Sequence, residues 1–320
     1  MGLRPLNPGR DLSQLADLLE SAFRAELTGE GRSILRELRF LAMLGPLNAF
    51  FTANQPETED LFTGLVWVQN GRIVGNVTVN RPTGHPRRWQ ISNVAVSEEY
   101  RGQGIARRLV EAALELILER GGNVAYLYVR EDNPPARHLY EHLGFVELDR
   151  LTDLELVNPA HLPTRRLERL RPLTPAEGAR LYALVSEAEG AGYRWLYEIQ
   201  RSQYEWSADE RAFRRLEALL TGELETQWGI GQGGTLDVGV VLRIHSGFNR
   251  KAHRLRLWVH PARRGQIEEV LTQDVLALLS QKPKRPVQVT LPAVESAATE
   301  ALIRHGFYKH RTLILMRMEL

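Results

Sequence analysis

The chain has 320 residues, 43% of them hydrophobic, a formal net charge of +2 and no cysteine. That length suits two domains with sizeable cores, and the missing thiols exclude disulfides, zinc–thiolate sites and an acyl-cysteine intermediate. No apolar run is long enough to span a bilayer, nothing reads as a signal peptide, and no basic stripe is interleaved with aromatics; the expectation is a cytoplasmic protein without membrane or nucleic-acid partners.

Each half reads as a strand, two helices, a hairpin, a further strand, a helix, a strand, a helix and closing strands. In the first half the hairpin turns at Asn70-Gly71, a pair that favours the type I′ turn. The β-branched run Ile91–Val96 predicts a strand. From Ile105 the apolar residues recur at Leu109, Ala112, Ala113, Leu116 and Ile117, the spacing of one helix face. Gly102 and Gly104 therefore stand at the mouth of a helix, where backbone approaches a ligand closely and unpaired N–H groups favour an anion such as pyrophosphate. Arg101, with Arg107 or Arg108, adds charge-assisted bonds. On their own, the same residues also read as a plain turn and helix start. A P-loop is excluded because Ile105-Ala106-Arg107 stands where Gly-Lys-Ser/Thr would enter the helix. A dinucleotide fingerprint is excluded because Ser97–Tyr100 precede the first glycine and Arg107 fills the third glycine's place.

After a strand at Val124–Arg130, Asn133 starts a helix with Pro134 suited to its first turn. Ala136, Leu139 and Leu143 make that helix's apolar stripe and leave Tyr140 at its margin, where a hydroxyl can reach a cleft. The alternative is a core tyrosine bonded elsewhere.

A Pro-punctuated, basic stretch near Val157–Glu168, with Pro159, Pro163, Arg165 and Arg166, reads as a linker. Beyond it the chain repeats itself at offsets of 162 to 167 residues: Leu3-Arg4-Pro5-Leu6 returns as Leu170-Arg171-Pro172-Leu173, Gly75 as Gly239, Arg101-Gly102-Gln103 as Arg264-Gly265-Gln266, and Gly144-Phe145 as Gly306-Phe307. Gly231-Gln232-Gly233-Gly234 precedes a strand and reads as a hairpin turn. The aromatic run Tyr193–Trp206, with Trp195, Tyr197 and Tyr204, reads as an ordinary packing helix or as a cover over the first half's cleft. Residues 1–160 carry 17 Arg, no Lys and 21 Asp+Glu, and residues 161–320 carry 20 Arg, 4 Lys and 18 Asp+Glu; this mild asymmetry favours contact between the halves over nucleic-acid binding.

The constellation resembles the GNAT superfamily of acyl-CoA-dependent N-acetyltransferases. Arg101-x-x-Gly104-x-Ala106 matches the family's Q/R-x-x-G-x-G/A signature, and Asn133, Ala136, Leu139-Tyr140 and Gly144-Phe145 match its second block. The resemblance implies an α/β (α+β) fold of two tandem GNAT-like domains, each a mixed, mostly antiparallel central sheet flanked by helices. Residues 1–157 would be the catalytic domain with the acetyl-CoA site, 158–168 the linker and 169–320 a degenerate copy. In that copy Ile267 stands for Gly104 and is followed by Glu268 and Glu269, which oppose a pyrophosphate by bulk and charge. Leu302 stands for Tyr140 and Glu295 for Asn133. Tandem chains of this length also occur as mycothiol synthases, whose second half is the catalytic one; here the motifs survive in the first, so that substrate is not carried over.

The reaction implied is direct transfer of an acetyl (acyl) group from acetyl-CoA to a primary amine of a small molecule, in a ternary complex without a covalent intermediate or a metal. Val94, Ala95, Val96, Arg101, Gly102, Gln103, Gly104, Ile105, Ala106, Arg107 and Asn133 would bind the cofactor. A strand N–H near Val94 or Ala95 would polarise the thioester carbonyl. Tyr140 would be the general acid, a modest transfer between a phenol of about 10 and a thiol of about 8.5. Many members place a base glutamate on the strand before the loop, where this chain has Ser92 and Asn93. Glu131, His85, Glu26 and Glu30 are substitutes, though each also reads as a surface residue. With Glu57-Thr58-Glu59-Asp60, Glu26 and Glu30 would suit a cationic acceptor, or form a solvated loop. Alternatives are a protein or peptide N-acetyltransferase and a non-catalytic acyl-CoA sensor; the expected state is monomer or homodimer.

Overall fold

The structure is a computed structural model that describes residues 2–24, 29–43, 63–82, 84–159, 162, 166–231, 234–247 and 251–320. Glu26, the stretch Glu57–Asp60 and the side chain of Glu30 lie outside the described residues. The chain divides into two compact units, one of Met1–Val129, Pro134–Glu147 and Met316–Leu320, the other of Arg130–Asn133 and Leu148–Leu315.

In the first unit, strand β1 (Gly2–Pro5) leads into helix α1 (Pro8–Ala22). Asn7 caps the helix, its Oδ1 accepting from Gly9 N at 3.0 Å. Arg4 binds the buried Asp11 carboxylate through two bonds of 2.6 and 2.9 Å. Burial works to raise that carboxyl, but the Arg4 and Asn7 bonds outweigh it and hold it below its ordinary range. Helix α2 (Gly29–Met43) follows, then the hairpin of β2 (Gly64–Gln69) and β3 (Arg72–Asn80). Its turn has Asn70 at φ 51° and Gly71 at φ 77°, the two positive values that a type I′ turn demands. Strand β4 (Arg88–Val96), helix α3 (Ile105–Glu119), strand β5 (Val124–Arg130) and helix α4 (Pro134–His142) complete the order, and β6 (Val146–Leu156) begins here. The strands run β1-β2-β3-β4-β5, antiparallel except for the β4–β5 pair. Leu12, Leu15, Leu19 and Leu35 of α1 and α2 pack with Val66, Ile73 and Ala95. Helix α3 buries Ile105, Leu109, Val110, Ala113 and Ile117. It lies so close to β3 that a Cβ at Gly75 would meet Ile105 Cγ2 and Leu109 Cδ1, each at 3.0 Å; glycine there lets the helix seat.

The second unit has β7 (Arg171–Pro172), α5 (Gly178–Ala188), α6 (Ala191–Leu196), α7 (Ala208–Thr221), β8 (Glu223–Ile230), β9 (Val238–His245), β10 (His253–Val259), α8 (Glu268–Ser280), β11 (Val287–Pro292), α9 (Ser296–Arg304) and β12 (Tyr308–Glu319). Its strands run β12-β6-β11-β10-β9-β8-β7, with β10 and β11 parallel. Val240, Leu242, Leu255, Leu257, Leu271, Val275 and Val289 sit at the core. The repeated Leu-Arg-Pro-Leu has a physical meaning: Arg171 holds Glu177 at 2.9 and 2.7 Å as Arg4 holds Asp11, and those bonds bring Glu177 down to about 2. Antiparallel β8 and β9 make Gly231–Gly234 a hairpin connection, of which Gln232 and Gly233 lie outside the described residues.

The Gly75–Gly239 match is a slip of one residue. Gly75 pairs with Val96, whereas in the second unit it is Val238 that pairs with Val259. Gly239 thus stands where Asn76 stands and faces the other side of its sheet, against Leu181 and Leu184 of α5. The aromatic run is a short helix and turn whose Tyr204 and Trp206 are buried, Tyr204 edge-on to Trp258.

The compact units and the sequence halves divide at different places, because closing strands pair with an available edge whatever their position in the chain. Beyond Glu147, β6 counts with the second unit and pairs with β11. The end of β12, from Met316, counts with the first unit, where Leu320 N donates to Asn123 O at 2.9 Å. No helix among the described residues is long and apolar enough to cross a membrane.

Candidate active site

Strand β4 is the platform. It pairs with β5 only over Arg88–Gln90 against Val124–Tyr126, so Ile91–Val96 and Leu127–Arg130 lie beyond that ladder. A bulge accompanies the divergence: Asn76 pairs with Ala95 while Thr78 pairs with Ser92, so β4 carries one extra residue, and Asn93 takes φ 51°. Asparagine tolerates that left-handed backbone where a β-branched residue does not. Fully buried Asn76 donates from Nδ2 to Asn93 O at 2.9 Å, and Asn93 Nδ2 donates to Thr78 Oγ1 at 3.3 Å. Sequence reasoning missed Asn76; the signal was an amide inside an otherwise β-branched strand. Ser97 N donates to Val74 O at 2.8 Å. By the alternation of an antiparallel ladder, the Val96 N–H one residue earlier points away from β3, to the side where β4 and β5 have parted. A strand edge with free donors receives an extended amide-bearing chain as it would another strand.

The loop from Ser97 to Gly104 turns tightly, Tyr100 N and Arg101 N donating to Ser97 O and Glu98 O at 2.9 and 3.2 Å. Gly104 caps α3 in the left-handed region, φ 75°, where another residue costs about 1–2 kcal/mol. No side chain caps the first turn, and a Cβ built at Gly102 or Gly104 meets nothing within 4 Å. The N–H groups of the helix start therefore face open space, the arrangement that takes a diphosphate. Arg101 is exposed, its Nε donating to Val96 O at 3.3 Å; Gln103 donates to Glu99 O at 3.5 Å, and Arg107 pairs with Glu111 at 2.8 Å. Ile105 is core, so only its backbone can meet a ligand; Ala106 is half-buried. Of the strand residues, Ala95 is buried and Val94 and Val96 are half-buried. Arg108 lies over the Trp67 ring at 5.5 Å.

Tyr140 corrects an expectation. It is the buried residue of α4, 6% exposed, while Ala136, Leu139 and Leu143 are only half-buried. Its ring meets Phe145 edge-on at 5.9 Å, and burial alone pushes the phenol up to about 12. Burial is the one cause of that rise, with no hydrogen bond from the described residues contributing to it. Asn133 is exposed between β5 and α4, its N–H donating to Arg130 O at 3.1 Å, and it counts with the second unit. Glu131 is held by Arg150 at 2.8 Å and Lys309 at 3.5 Å. His85 is half-buried in the turn before β4. Ser92 accepts from Asn80 Nδ2 at 3.1 Å. No group of three or more His, Asp and Glu able to hold a metal occurs among the described residues.

In the second unit the corresponding donors are occupied from within. Ile267 replaces Gly104 and caps α8 with φ −118°. Glu268 folds back so that Oε1 accepts from Gly265 N at 2.8 Å and Oε2 from Ile267 N at 3.1 Å. The expected repulsion of an anion takes the form of replacement, the carboxylate standing on the loop amides itself. Leu302 is fully buried in Tyr140's place, Phe307 N donating to its carbonyl as Phe145 N does to that of Tyr140. Glu295 accepts from Val259 N at 3.2 Å and Arg264 at 3.1 Å.

The Acetyltransferase (GNAT) family model matches residues 32–145. Among curated proteins, N-alpha-acetyltransferase 30 of Schizosaccharomyces pombe is 38% identical over 89 residues, 27% of this chain and 59% of that protein. Mycothiol acetyltransferase of Corynebacterium aurimucosum is 44% identical over 52 residues, 16% of this chain and 17% of that protein. The chain thus spans less than two thirds of these relatives. Among solved structures, a tandem GNAT protein from the clavulanic acid biosynthesis pathway aligns over 99% of this chain and 98% of its own, with a TM-score of 0.54 at 19% identity, a likeness of fold.

Proposed function

We propose, from the match of residues 32–145 to the Acetyltransferase (GNAT) family model, that the first unit transfers an acetyl group from acetyl-CoA directly to a primary amine of a small molecule. The observation that carries this reading is the parting of β4 from β5 beside an uncapped, glycine-opened helix start. The amides of Gly102–Ala106 bind the diphosphate, with Arg101, Gln103 and Arg107 at the rim. The edge of Val94–Val96 holds the amide-bearing arm; the pairing of Ala95 with Asn76 turns the Ala95 N–H toward β3, so of the two expected donors it is the N–H of Val94 that polarises the carbonyl under attack. Bound there, the thioester supplies the activated acyl group. Tyr140 donates its hydroxyl proton toward the departing sulfur. Asn133 is the remaining contact to the arm expected from the family block.

The acceptor must lose a proton. An alkylammonium of about 10.4 is roughly one part in a thousand neutral at pH 7, worth about 4 kcal/mol of the barrier. With Ser92 and Asn93 where a carboxylate would help, an amine of lower pKa is favoured, an arylamine or an α-amine of about 8. The likeness to N-alpha-acetyltransferase 30 supports a second reading, a peptide α-amine.

Calorimetric titration with acetyl-CoA tests the first step: one site per chain, abolished by Gly104→Glu. Thiol release with arylamines, polyamines and short peptides then tests the acceptor. Turnover confined to peptides would replace the small-molecule reading, and no binding would end both.

A further inference from the structure

The second unit keeps the backbone of the same site but fills it. Val259, Gly265 and Ile267 correspond to Val96, Gly102 and Gly104 in strand register and loop position, and Gly265 retains φ 79° beside 76° at Gly102. His260 N donates to Asp237 O at 2.8 Å, so Val259 N–H points away from β9 as Val96 N–H points away from β3. In the first unit these donors face open space or the parted strands. In the second, two carboxylates take them, and both are buried: Glu268 is 4% and Glu295 1% exposed. Glu295 Oε2 has no hydrogen-bond partner among the described residues. Leaving such an atom without a partner is costly.

We infer that the second unit is an internally ligated copy of the anion site, in which Glu268 replaces a bound diphosphate and Glu295 the amide-bearing arm, so that removing them opens a second site for a diphosphate-bearing ligand. The choice of coenzyme A as that ligand rests on the reading given for the first unit. Charge supports the assignment. Glu268 receives two N–H bonds at a helix start, where the dipole favours an anion. The guanidinium of Arg264, the counterpart of Arg101, turns inward to Glu295 Oε1 and to Ala188 O at 2.7 Å instead of standing at the rim. An amide-facing carboxylate tied to its own backbone meets no entropy cost of association, so a free ligand cannot displace it at ordinary concentration.

The test is calorimetry of the full chain with coenzyme A, on wild type and on the variant Ile267→Gly/Glu268→Ile/Glu295→Asn, which restores the first-unit residues. Wild type is expected to bind one equivalent and the variant two. With Gly104→Glu added, the variant is expected to keep one. If wild type binds none, the first-unit reading fails alone, because the variant still gains its site. A folded variant with no added equivalent overturns the inference. Hydrogen exchange of the single variant Glu268→Ala guards against misfolding of the triple one: the Gly265 and Ile267 amides should exchange at least tenfold faster than in wild type. Equal rates mean that Glu268 does not ligate them, and the inference falls.

Discussion

A phenol at about 12 gives up its proton reluctantly. Against a thiol of about 8.5 the gap is roughly 3.5 units, near 5 kcal/mol, rather than the modest step expected for an ordinary tyrosine. In the proposed reaction Tyr140 would therefore act chiefly by offering a hydrogen bond to the sulfur as charge gathers there. Tyr140→Phe is expected to lower kcat by about 10²–10⁴, with the acetyl-CoA Kd little changed; an unchanged kcat removes Tyr140 from the chemistry. At the other end of the reaction the acceptor's own amine sets the acidic limb, since Ser92 and Asn93 take no proton. kcat/KM should climb about tenfold per pH unit up to each acceptor's pKa, and the inflection should move when an alkylamine replaces an α-amine. A shared inflection would reveal a base on the enzyme. The identity of Tyr140 was legible in Leu139-Tyr140 followed by Gly144-Phe145, but its burial was not. On a nine-residue helix three apolar neighbours predict an inward stripe, and tertiary packing on Phe145 turned the tyrosine inward instead.

Elements inherit their shape from a few such residues. The bulge of β4 depends on Asn76, whose partner carbonyl at Asn93 lies 17 residues on, a distance at which strand patterning says nothing about pairing. Asn76→Ala should cost about 1–3 kcal/mol by leaving the Asn93 carbonyl unpaired, and should weaken acetyl-CoA binding more than Tyr140→Phe does, as read by denaturant unfolding and calorimetry. The loop before α3 was readable because glycines and a helix period are local signals. The register of Gly239 was not, because a one-residue shift leaves composition unchanged and moves a side chain to the opposite face. Glu295 adds a pH dependence to the second unit. Burial lifts it to about 7, against the downward pull of Val259 N–H and Arg264 and with Glu268 adding to the rise. The folded state thus holds this proton more tightly than the unfolded chain, whose glutamate sits near 4.5. The stabilisation is complete below about 4.5 and is lost as the pH rises through about 7, roughly 3 kcal/mol in all. Urea unfolding at pH 5 and pH 8 should show Glu295→Gln gaining on wild type at the higher value; parallel curves would place the ionisation elsewhere.

At the scale of the molecule, three of the four short repeats announced two copies of one fold, since motif order survives divergence. The assignment of the closing strands could not be read, because the halves end alike and nothing local says which edge each strand joins. Met316 is 1% exposed and a Cβ built at Gly144 would lie 3.7 Å from Met318 Cε, so these residues are part of the first unit's packing. Deleting Met316–Leu320 should lower that unit's stability by about 2–5 kcal/mol, the scale of one buried methionine or more, and reduce acetyl-CoA binding with it. Limited proteolysis and calorimetry on the shortened chain decide this; retained binding at full affinity would show the tail to be dispensable.

That last packing sets an order of events during synthesis. Chains generally fold domain by domain as they leave the ribosome, the earliest segment first. Here the first unit waits for residues 316–320, made after residues 148–315 of the second unit, before its own packing is complete. A polypeptide stopped before residue 316 would carry every residue of the proposed catalytic machinery and still lack the piece that completes the first unit's packing.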